Sequence, residues 1–284
     1  MIKVIETVKD LRHLVKDWKQ QGLSVGFVPT MGFLHAGHQS LIKEAAKYND
    51  KVVVSIFVNP MQFGPSEDLE KYPRDLNRDK QACKDAGAHV IFHPKNEEIY
   101  SPGFSSCVEV NGVSEELCGK SRPGHFRGVA TVVCKLFNIV GAEKAYFGQK
   151  DAQQLAVIRR MVKDLNIDIE VIGCPIVREA DGLAMSSRNS YLNTEQRAAA
   201  LCLYKAVQLG GQMLEDGVRE AAVIKNALTA FIEKEPLAKI DYIEFVDADT
   251  IKPVQQIDRP VICALAVFIG KTRLIDNFYF VQRN

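Results

Sequence analysis

The sequence predicts an α/β protein: a mainly parallel sheet with helices on both faces, followed by a smaller C-terminal α+β domain. Up to Val177, short apolar segments of strand character alternate with segments whose apolar residues recur at helical spacing. The strand-like segments are continuous apolar runs, which is typical of parallel strands buried on both faces. After Val177 the order changes to two helices and then three alternating segments typical of antiparallel strands. The predicted domains are residues 1–178 and 179–284.

The first predicted domain alternates strands with helices. We expect its strands in the segments GFVPT (26–30), KVVVSIFVN (51–59), HVIFHP (89–94), SSCVEV (105–110), KAYFG (144–148) and IDIEVIGCPIV (167–177). We expect its helices after PTMG, where Leu41, Ile42, Ala45 and Ala46 share one face, and over residues 69–86, 129–140 and 153–165. Sheets of this kind bind ligands beyond the carboxyl ends of their strands, and PTMG lies at such an end.

The second predicted domain begins with a polar loop, READGLAMSSRNSYLN. The loop ends in Asn193, and Gln196 three residues later completes a pattern typical of a capping box. Helices are predicted over residues 194–215 and 219–234, separated by an Asp-Gly turn. Antiparallel strands are predicted in IDYIEFVDADT, VICALAVFIG and TRLIDNFYF.

Composition and charge exclude several classes of function. The net charge is +1, so we expect no broad electrostatic surface for nucleic acid or for an anionic membrane. No apolar run reaches membrane-spanning length, and the N-terminal residues carry charges throughout, unlike a signal peptide. The 7 cysteines are dispersed, without a Cys-x-x-Cys pair, which is typical of reduced thiols in a cytoplasmic protein.

The segment PTMGFLHAGH contains two histidines, His35 and His38, where a strand passes into a helix. The residues alone leave three interpretations open. A zinc site would need three or four ligands, and neither His-Glu-x-x-His nor Cys-x-x-Cys is present to supply them. Two structural histidines at a helix start are the second interpretation. The third is phosphate binding, since Gly32 and Gly37 allow close backbone approach and a helix N-terminus carries free N–H groups.

Two further segments contain residue types suited to phosphate. FGQKD (147–151) follows a strand and begins a helix, where Lys150 could bind phosphate and Asp151 could cap the helix. GLAMSSRN (182–189) contains two hydroxyls, an arginine and an asparagine, although an ordinary polar turn has the same composition. Neither of the common glycine-rich phosphate motifs, G-x-x-x-x-G-K-[ST] or G-x-G-x-x-G after a strand, is present.

Taken together, these segments resemble a known family. PTMGFLHAGH followed by MSSRN is similar to the nucleotidyltransferase superfamily that includes class I aminoacyl-tRNA synthetases, with its HIGH-type turn and KMSKS-type loop. The resemblance is closer to the pantoate–β-alanine ligase family. It rests on segments that follow the family order over most of the chain: PTMGFLHAGH, FVNPMQF, YPR, RPGHFRGV, FGQKDAQQ, VREADGLAMSSRN and TRLIDN.

The resemblance implies a Rossmann-like fold and an ATP-dependent ligase that works in two steps. Pantoate and ATP would form pantoyl adenylate and pyrophosphate with Mg²⁺, and β-alanine would then displace AMP to form pantothenate. It also implies a homodimer. Displacement of pyrophosphate builds negative charge on phosphoryl oxygens, which explains the need for fixed hydrogen-bond donors.

The resemblance also implies roles for individual residues. The implied ATP-binding residues are Met31, Gly32, Phe33, Leu34, His35, Ala36, Gly37, His38, Gly148, Gln149, Lys150, Asp151, Val177, Met185, Ser186, Ser187 and Arg188. Those implied to act on the phosphates in catalysis are His35, His38, Lys150, Ser186, Ser187 and Arg188. Gln62 and Gln154 are implied to hold pantoate, with Asn59 and Tyr72 lining the same cavity, and Arg122 and His125 are implied to form the gate of the β-alanine entrance. Asp79 is the implied Mg²⁺ contact.

Structural roles compete with some of these assignments. Asn59 could simply turn the chain after its strand, Tyr72 could be a packing residue, and Asp79 could be a solvated helix carboxylate. One departure from the wider superfamily is Ala184, which occupies the place of the first lysine of KMSKS and counts against a tRNA synthetase. Lys150 is our candidate for the missing charge. A nucleotidyltransferase that stops at the nucleotide adduct and a dimeric binding protein without activity are the alternative functions.

Overall fold

The computed structural model describes residues 2–65 and 67–282, and the chain forms two compact units. The first comprises Met1–Val110, Arg122–Gln149 and Val157–Pro175. The second comprises Asn111–Ser121, Lys150–Ala156 and Ile176–Asn284. Two short segments that precede Ile176 in the sequence therefore belong to the second unit.

The first unit is built on a parallel sheet, as the continuous apolar runs predict. Its strands are β1 (Lys3–Ile5), β2 (Val25–Thr30), β3 (Lys51–Ile56), β4 (Val90–Phe92), β5 (Lys144–Gly148) and β6 (Glu170–Cys174). Their order is β1-β4-β3-β2-β5-β6, and every neighbouring pair is parallel. The chain adds strands on one side from β2 to β4 and on the other side from β5 to β6. The topological switch point therefore lies between β2 and β5.

Helices connect these strands. They are α1 (Val8–Gln20), α2 (Ala36–Tyr48), α3 (Leu76–Asp85), α4 (Asn96–Ile99), α6 (His125–Val140) and α7 (Ala152–Asp164), with α5 (Cys118–Ser121) intervening in the sequence. The prediction of a helix from residue 69 is wrong in its first turns. Asp75 caps α3 by accepting the Arg78 amide, and the preceding Pro73 disfavours helical backbone before it.

The predicted strand SSCVEV (105–110) is also wrong, because the segment has no strand pairing in the part of the chain that the structure describes. The amide of Val108 donates to the hydroxyl of Thr131 on α6, at 2.9 Å, and not to a neighbouring strand. Alternating apolar residues predict a strand only where another strand edge is available, and this segment packs on a helix instead.

The core of the first unit includes apolar residues of β2, β3 and α2. Two histidines flank β4 and bond to the sheet. His89 Nδ1 accepts the Val52 amide at 3.1 Å, and the His93 Nδ1–H group donates to the Ile56 carbonyl at 2.8 Å. Burial, assisted by the charge of Lys51, lowers the pKa of His89 below its ordinary value. These two histidines therefore have structural roles.

The second unit contains the three predicted antiparallel strands, β7 (Ala238–Asp247), β8 (Val261–Ile269) and β9 (Thr272–Phe280), and they form a sheet in the order β7-β8-β9. Its helices include α8 (Thr194–Ala199), α9 (Leu201–Glu215) and α10 (Ala221–Ile232). The predicted capping box of Asn193 and Gln196 is present. The single helix predicted over 194–215 is two helices, interrupted at Ala200. Apolar residues of α9, α10 and the sheet form the core.

Within residues 2–65 and 67–282, no helix combines the length and the apolar character needed to cross a membrane.

The lowered pKa of His89 predicts a pH-dependent stability. The folded state binds the His89 proton less tightly than the unfolded state, so stability falls as the pH drops below the ordinary histidine pKa of 6.5. His89→Asn keeps an acceptor for the Val52 amide and cannot titrate. In the wild type the melting temperature should fall between pH 8 and pH 5, and we expect the slope of melting temperature against pH to be smaller in this variant. His13→Asn, on the exposed face of α1, should keep the wild-type slope, and equal slopes for all three proteins would contradict the assignment.

Candidate active site

The histidine turn is the segment from the end of β2 to the first turn of α2. Gly32 (φ 83°) and Phe33 (φ 50°) both adopt left-handed backbone, so the chain turns sharply after β2. A Cβ atom on Gly32 would lie 3.0 Å from an Asp79 oxygen and 3.0 Å from a methyl carbon of Ile56. Position 32 therefore requires glycine for space as well as for conformation. The turn leads directly to His35, the N-cap of α2.

The two histidines cap α2 with their imidazole rings. His35 Nδ1 accepts the Gly37 amide at 3.1 Å, and His38 Nδ1 accepts the His35 amide at 3.4 Å. The ring centroids are 4.1 Å apart. An imidazole that accepts at Nδ1 carries its proton on Nε2 when neutral, so both rings present an Nε2–H donor. Capping through Nδ1 gives both histidines a structural role.

The position of the turn favours an anionic ligand. It follows the carboxyl end of β2, which pairs with β3 on one side and with β5 on the other, at the switch point of the sheet. The N-terminus of α2 adds backbone N–H groups and a partial positive charge at the same place. Of the interpretations left open by the sequence, this geometry supports phosphate binding.

Asp79, in the first turn of α3, binds the backbone of the histidine turn. Its Oδ2 accepts the Phe33 amide at 2.9 Å, and its Oδ1 accepts the Leu34 amide at 2.7 Å. Asp79 is only 1% exposed. Burial raises the pKa of this carboxyl group, although the two backbone hydrogen bonds oppose the shift.

These contacts do not fit Asp79 as a Mg²⁺ ligand. Both of its oxygens accept backbone hydrogen bonds, from Phe33 and Leu34, and so point to the chain of the histidine turn. Magnesium in nucleotide sites usually retains several waters and binds one or two carboxylates together with phosphates. We therefore assign no step of the reaction to an ion at Asp79.

Asn59 and Gln62 follow β3 and lie against the histidine turn. Asn59 Nδ2 donates to the Gly128 carbonyl and to Gln62 Oε1, both at 3.1 Å, and its Oδ1 accepts the Tyr100 hydroxyl at 2.6 Å. Gln62 Nε2 lies 3.1 Å from the sulfur of Met31. The structure thus brings two predicted substrate residues and one predicted ATP residue together. Asn59 determines the orientation of the Gln62 amide, in addition to capping its own turn.

A charged network surrounds the backbone of Gln62. Arg122 binds both carboxylate oxygens of Glu67, at 2.7 and 2.6 Å, and its Nη1 donates to His125 Nε2 at 3.0 Å. His125 Nδ1 then donates to the Gln62 carbonyl at 2.9 Å. Burial opposes ionisation of Glu67, but the hydrogen bonds and charge of Arg122 hold its pKa below the ordinary value. The network links the two predicted gate residues to the pantoate residue.

Tyr72 and the paired glutamines have different surroundings. Tyr72 is buried, and its ring packs edge-on against Phe63 at 6.0 Å between centroids. Gln153 is also buried; it accepts the Cys118 amide at 2.9 Å and donates to two carbonyl groups. Its neighbour Gln154 is only partly buried on α7. Of the two adjacent glutamines, Gln153 thus has a structural role, and the substrate role of Gln154 stays a prediction.

In the second unit, the SSRN loop is the segment Met185–Asn189. The Met185 amide donates to the Val177 carbonyl at 3.0 Å, which joins the loop to the segment before it. Ser186 Oγ accepts the Arg188 amide at 3.3 Å and begins a short 3₁₀ helix. Asn189 donates to the carbonyl of Ala184 at 3.1 Å. The loop therefore has a defined conformation within its unit.

The segment TRLIDN on β9 supports two loops of the second unit. Asp276 binds the guanidinium of Arg178 through both oxygens, at 2.6 and 2.9 Å. Asn277 Nδ2 donates to the Lys150 carbonyl at 2.8 Å. The side chain of Lys150 lies 3.3 Å from Asp151. Adjacent residues of β9 therefore bind Arg178, in the segment before the SSRN loop, and the backbone of Lys150.

Comparison with known proteins identifies the family. The family model described as Pantoate-beta-alanine ligase matches residues 3–279. Pantothenate synthetase of Ruminiclostridium cellulolyticum is 58% identical over 280 residues, covering 99% of each chain. The crystal structure of pantothenate synthetase from Thermus thermophilus has a TM-score of 0.91 and 43% identity, covering 98% of this chain and 99% of that one. The chain belongs to the pantoate–β-alanine ligase family. The predicted family, fold class and enzyme activity, the ligation of pantoate with β-alanine, are confirmed.

A third relative was crystallised with ligands. The crystal structure of pantoate-beta-alanine ligase from Francisella tularensis, complexed with beta-gamma ATP and beta-alanine, has a TM-score of 0.81 and 36% identity. It covers 98% of this chain and 97% of that one.

Sequence reasoning about this pantoate–β-alanine ligase family member missed two residues of the site. Tyr100 holds Asn59, and Glu67 holds Arg122. Neither lies in a segment that carries the family resemblance. Burial raises the pKa of Tyr100, so its hydroxyl remains a donor at neutral pH. Glu67 is one of three acidic residues between FVNPMQF and YPR, with Asp68 and Glu70, and nothing in the sequence distinguishes it from the other two.

Gly128 tests the support of Gln62. A Cβ atom there would lie 2.3 Å from the Met61 carbonyl oxygen and 2.7 Å from the Gln62 Cα, so the 3₁₀ turn Pro60–Gln62 would have to move. We expect Gly128→Ala to lower stability by about 1–3 kcal/mol, as overpacking does. We also expect the KM for pantoate to rise about 10-fold, a loss of about 1.4 kcal/mol of binding free energy.

Gly211→Ala in α9 is the matched control, because a Cβ atom added there would have no described atom within 4 Å beyond its chain neighbours and the adjoining backbone of its own helix. Chemical denaturation and steady-state kinetics would measure both variants. An unchanged KM for pantoate in Gly128→Ala would contradict the proposed dependence of Gln62 on this contact.

Proposed function

We propose that the chain condenses pantoate with β-alanine in two steps at the expense of ATP. In the first step a pantoate carboxylate oxygen attacks the α-phosphorus, and the bond to the β-phosphate oxygen breaks, releasing pyrophosphate. In the second step the β-alanine amine attacks the carboxyl carbon of pantoyl adenylate. The carbon–oxygen bond to AMP breaks, the nitrogen loses a proton, and pantothenate forms. The ligands of the Francisella tularensis relative, beta-gamma ATP and beta-alanine, support this choice of substrates.

The observation that carries the proposal is the pair of Nε2–H donors at the N-terminus of α2. Negative charge develops on the α-phosphoryl and leaving-group oxygens as pyrophosphate departs. Fixed donors stabilise this charge more than the ground state, because they need no reorganisation during the step. The Nδ1 hydrogen bonds hold both rings in place. We assign His35 and His38 to the phosphates, with His38 as the principal donor.

Neutral amides are the substrate ligands in this proposal. We assign Gln62 and Gln154 to pantoate, and we assign Asn59 and Tyr72 to the same substrate. A bidentate arginine would hold the pantoate carboxylate as a stable ion pair and lower its nucleophilicity. An amide donates hydrogen bonds without neutralising the charge. The network of Asn59 around Gln62 supports the assignment, since it selects one orientation of the Gln62 amide.

The remaining predicted residues receive roles by the same reasoning. Lys150, Ser186, Ser187 and Arg188 are assigned to the phosphates, and Val177 and Met185 to the nucleoside side of ATP. Mg²⁺ would neutralise charge on the phosphates, and it remains a prediction, as do the homodimer and the cytoplasmic location. The 7 free cysteines support a reducing compartment.

The reaction itself tests the proposal. Incubation with ATP, Mg²⁺ and pantoate should release pyrophosphate, with AMP and pantothenate appearing once β-alanine is added. Pyrophosphate release without pantoate, a requirement for CTP, or no turnover at all would contradict it.

His38→Gln tests the donor. A glutamine at this capping-box position can accept the His35 amide, so the helix start is preserved while the imidazole is removed. We expect kcat for pyrophosphate release to fall about 100-fold, within the usual range for loss of a proton-donating group. His13→Gln on exposed α1 is the control and should match the wild type. If the melting temperature of His38→Gln is normal and kcat is unchanged, His38 is a cap only.

Glu67→Gln tests the β-alanine side. Loss of the carboxylate charge weakens the pair with Arg122, which is one of the two groups that hold the His125 ring. We expect the KM for β-alanine to rise about 10-fold, corresponding to about 1.4 kcal/mol. The KM for ATP should stay the same. Equal changes in both constants, measured by steady-state kinetics, would argue against a role of this network in β-alanine binding.

A further inference from the structure

The histidine turn has a backbone conformation that needs external support. Phe33 is a non-glycine residue with φ 50°, and such residues persist only where surrounding contacts hold them. Its amide and the next one, of Leu34, point to the same place. Two consecutive amides that converge form a concave donor site suited to an anion. In this turn the anion is the carboxylate of Asp79, 46 and 45 positions away in the sequence.

The contacts around the turn come from the ends of two further elements. Arg78, next to Asp79 on α3, places its guanidinium carbon 4.4 Å from the centroid of the Phe33 ring. Phe33 is thus held through its amide by one residue and through its ring by the neighbour of that residue. On the other side, Thr30 Oγ1 accepts the Gly32 amide at 3.2 Å and donates to the Ser55 carbonyl of β3 at 2.7 Å.

The position of the Leu34 backbone determines the positions of His35 and His38. Leu34 is buried and immediately precedes His35, whose amide is bound by His38 Nδ1. A displacement of the Leu34 amide therefore moves the N-cap and both imidazoles. Because catalysis by fixed donors depends on their placement, displacements of about 1 Å can cost about 100-fold in rate.

We infer that Asp79 is a positioning residue for adenylation. Its carboxylate holds the Phe33 and Leu34 amides, and it thereby fixes the positions of His35 and His38, which we assign to the phosphates. The inference rests on the proposed role of the histidine turn in pyrophosphate release. It replaces the Mg²⁺ role implied by the resemblance, because a carboxylate whose two oxygens both accept backbone amides is engaged in holding the chain.

Asp79→Asn is the test variant. Asparagine keeps the shape of aspartate but has one acceptor oxygen, so one of the two backbone amides faces an NH₂ group and loses its partner. We expect kcat for pyrophosphate release to fall about 100-fold, with the KM for pantoate changing less than about 3-fold. Amide hydrogen exchange at Phe33 and Leu34, measured by NMR without substrates, should become at least about 10-fold faster.

Asp75→Ala is the matched control on the same helix. Asp75 caps α3 by accepting the Arg78 amide at 3.0 Å, so its loss destabilises the helix without removing a bond from the turn. This variant should melt at a lower temperature and keep the wild-type kcat.

A Mg²⁺ titration separates the positioning role of Asp79 from a role as a metal ligand. The Mg²⁺ concentration that gives half of the maximal rate should be the same in the wild type and in Asp79→Asn.

Three results would overturn the inference. One is a kcat of Asp79→Asn within about 3-fold of that of Asp75→Ala. Another is unchanged exchange at Phe33 and Leu34. The third is recovery of the Asp79→Asn rate at high Mg²⁺, which would identify Asp79 as a metal ligand. If the wild type itself releases no pyrophosphate from ATP and pantoate, the proposed function fails instead, and the exchange measurement still tests the contact.

If Asp79→Asn does not fold, a variant of the exposed neighbouring residue Arg78 provides the test. Arg78→Ala removes the ring contact of Phe33 from a surface position. We expect faster amide exchange at Phe33 and a kcat about 3- to 10-fold below the wild type. Wild-type values for both would overturn the inference.

Discussion

The parallel pairing of β2 with β3 determines where the groups of the first unit meet. Thr30 and Ile56 are register partners at the ends of these strands, and the Phe57 amide donates to the Thr30 carbonyl at 3.0 Å. The loops that follow the two strands must therefore begin at the same level of the sheet. One loop is the histidine turn, and the other contains Gln62. Their contact through Met31 is a direct consequence of strand register, since a shift of one residue would separate them.

Buried polar side chains hold these loops in one conformation. Asp79, Asn59 and Gln62 are all largely buried, and each bonds to backbone or to another side chain. A buried polar group without a partner is costly, so each of these groups disfavours conformations in which its partner moves away. Apolar packing alone would allow the loops several similar arrangements. The polar contacts select the one in which the donors of the histidine turn are fixed.

In the second unit, too, polar side chains hold loop segments in one conformation, and here they lie on an antiparallel sheet. Adjacent residues of β9, Asp276 and Asn277, bind Arg178 and the backbone of Lys150. β9 is the edge partner of β8 in the antiparallel sheet, so the sheet carries the support of both loops. The TRLIDN segment therefore has a positioning function within its unit. Its acid and amide were recognisable in the sequence as part of the resemblance, but their partners were not.

The parallel sheet, the turn after β2, the capping box at Asn193 and the family can all be predicted from the sequence alone, because each depends on residues close in sequence or on whole segments in order. Features that depend on distant residues could be assigned only from the folded chain. The start of α3 at Leu76, the unpaired segment 105–110 and the structural role of Gln153 all follow from which surfaces the fold brings together. The contact of Asp79 with Phe33 spans 46 positions, and no periodicity or spacing encodes it. A carboxylate looks the same in a sequence whether it faces solvent, a metal or two backbone amides, and only the fold selects among them.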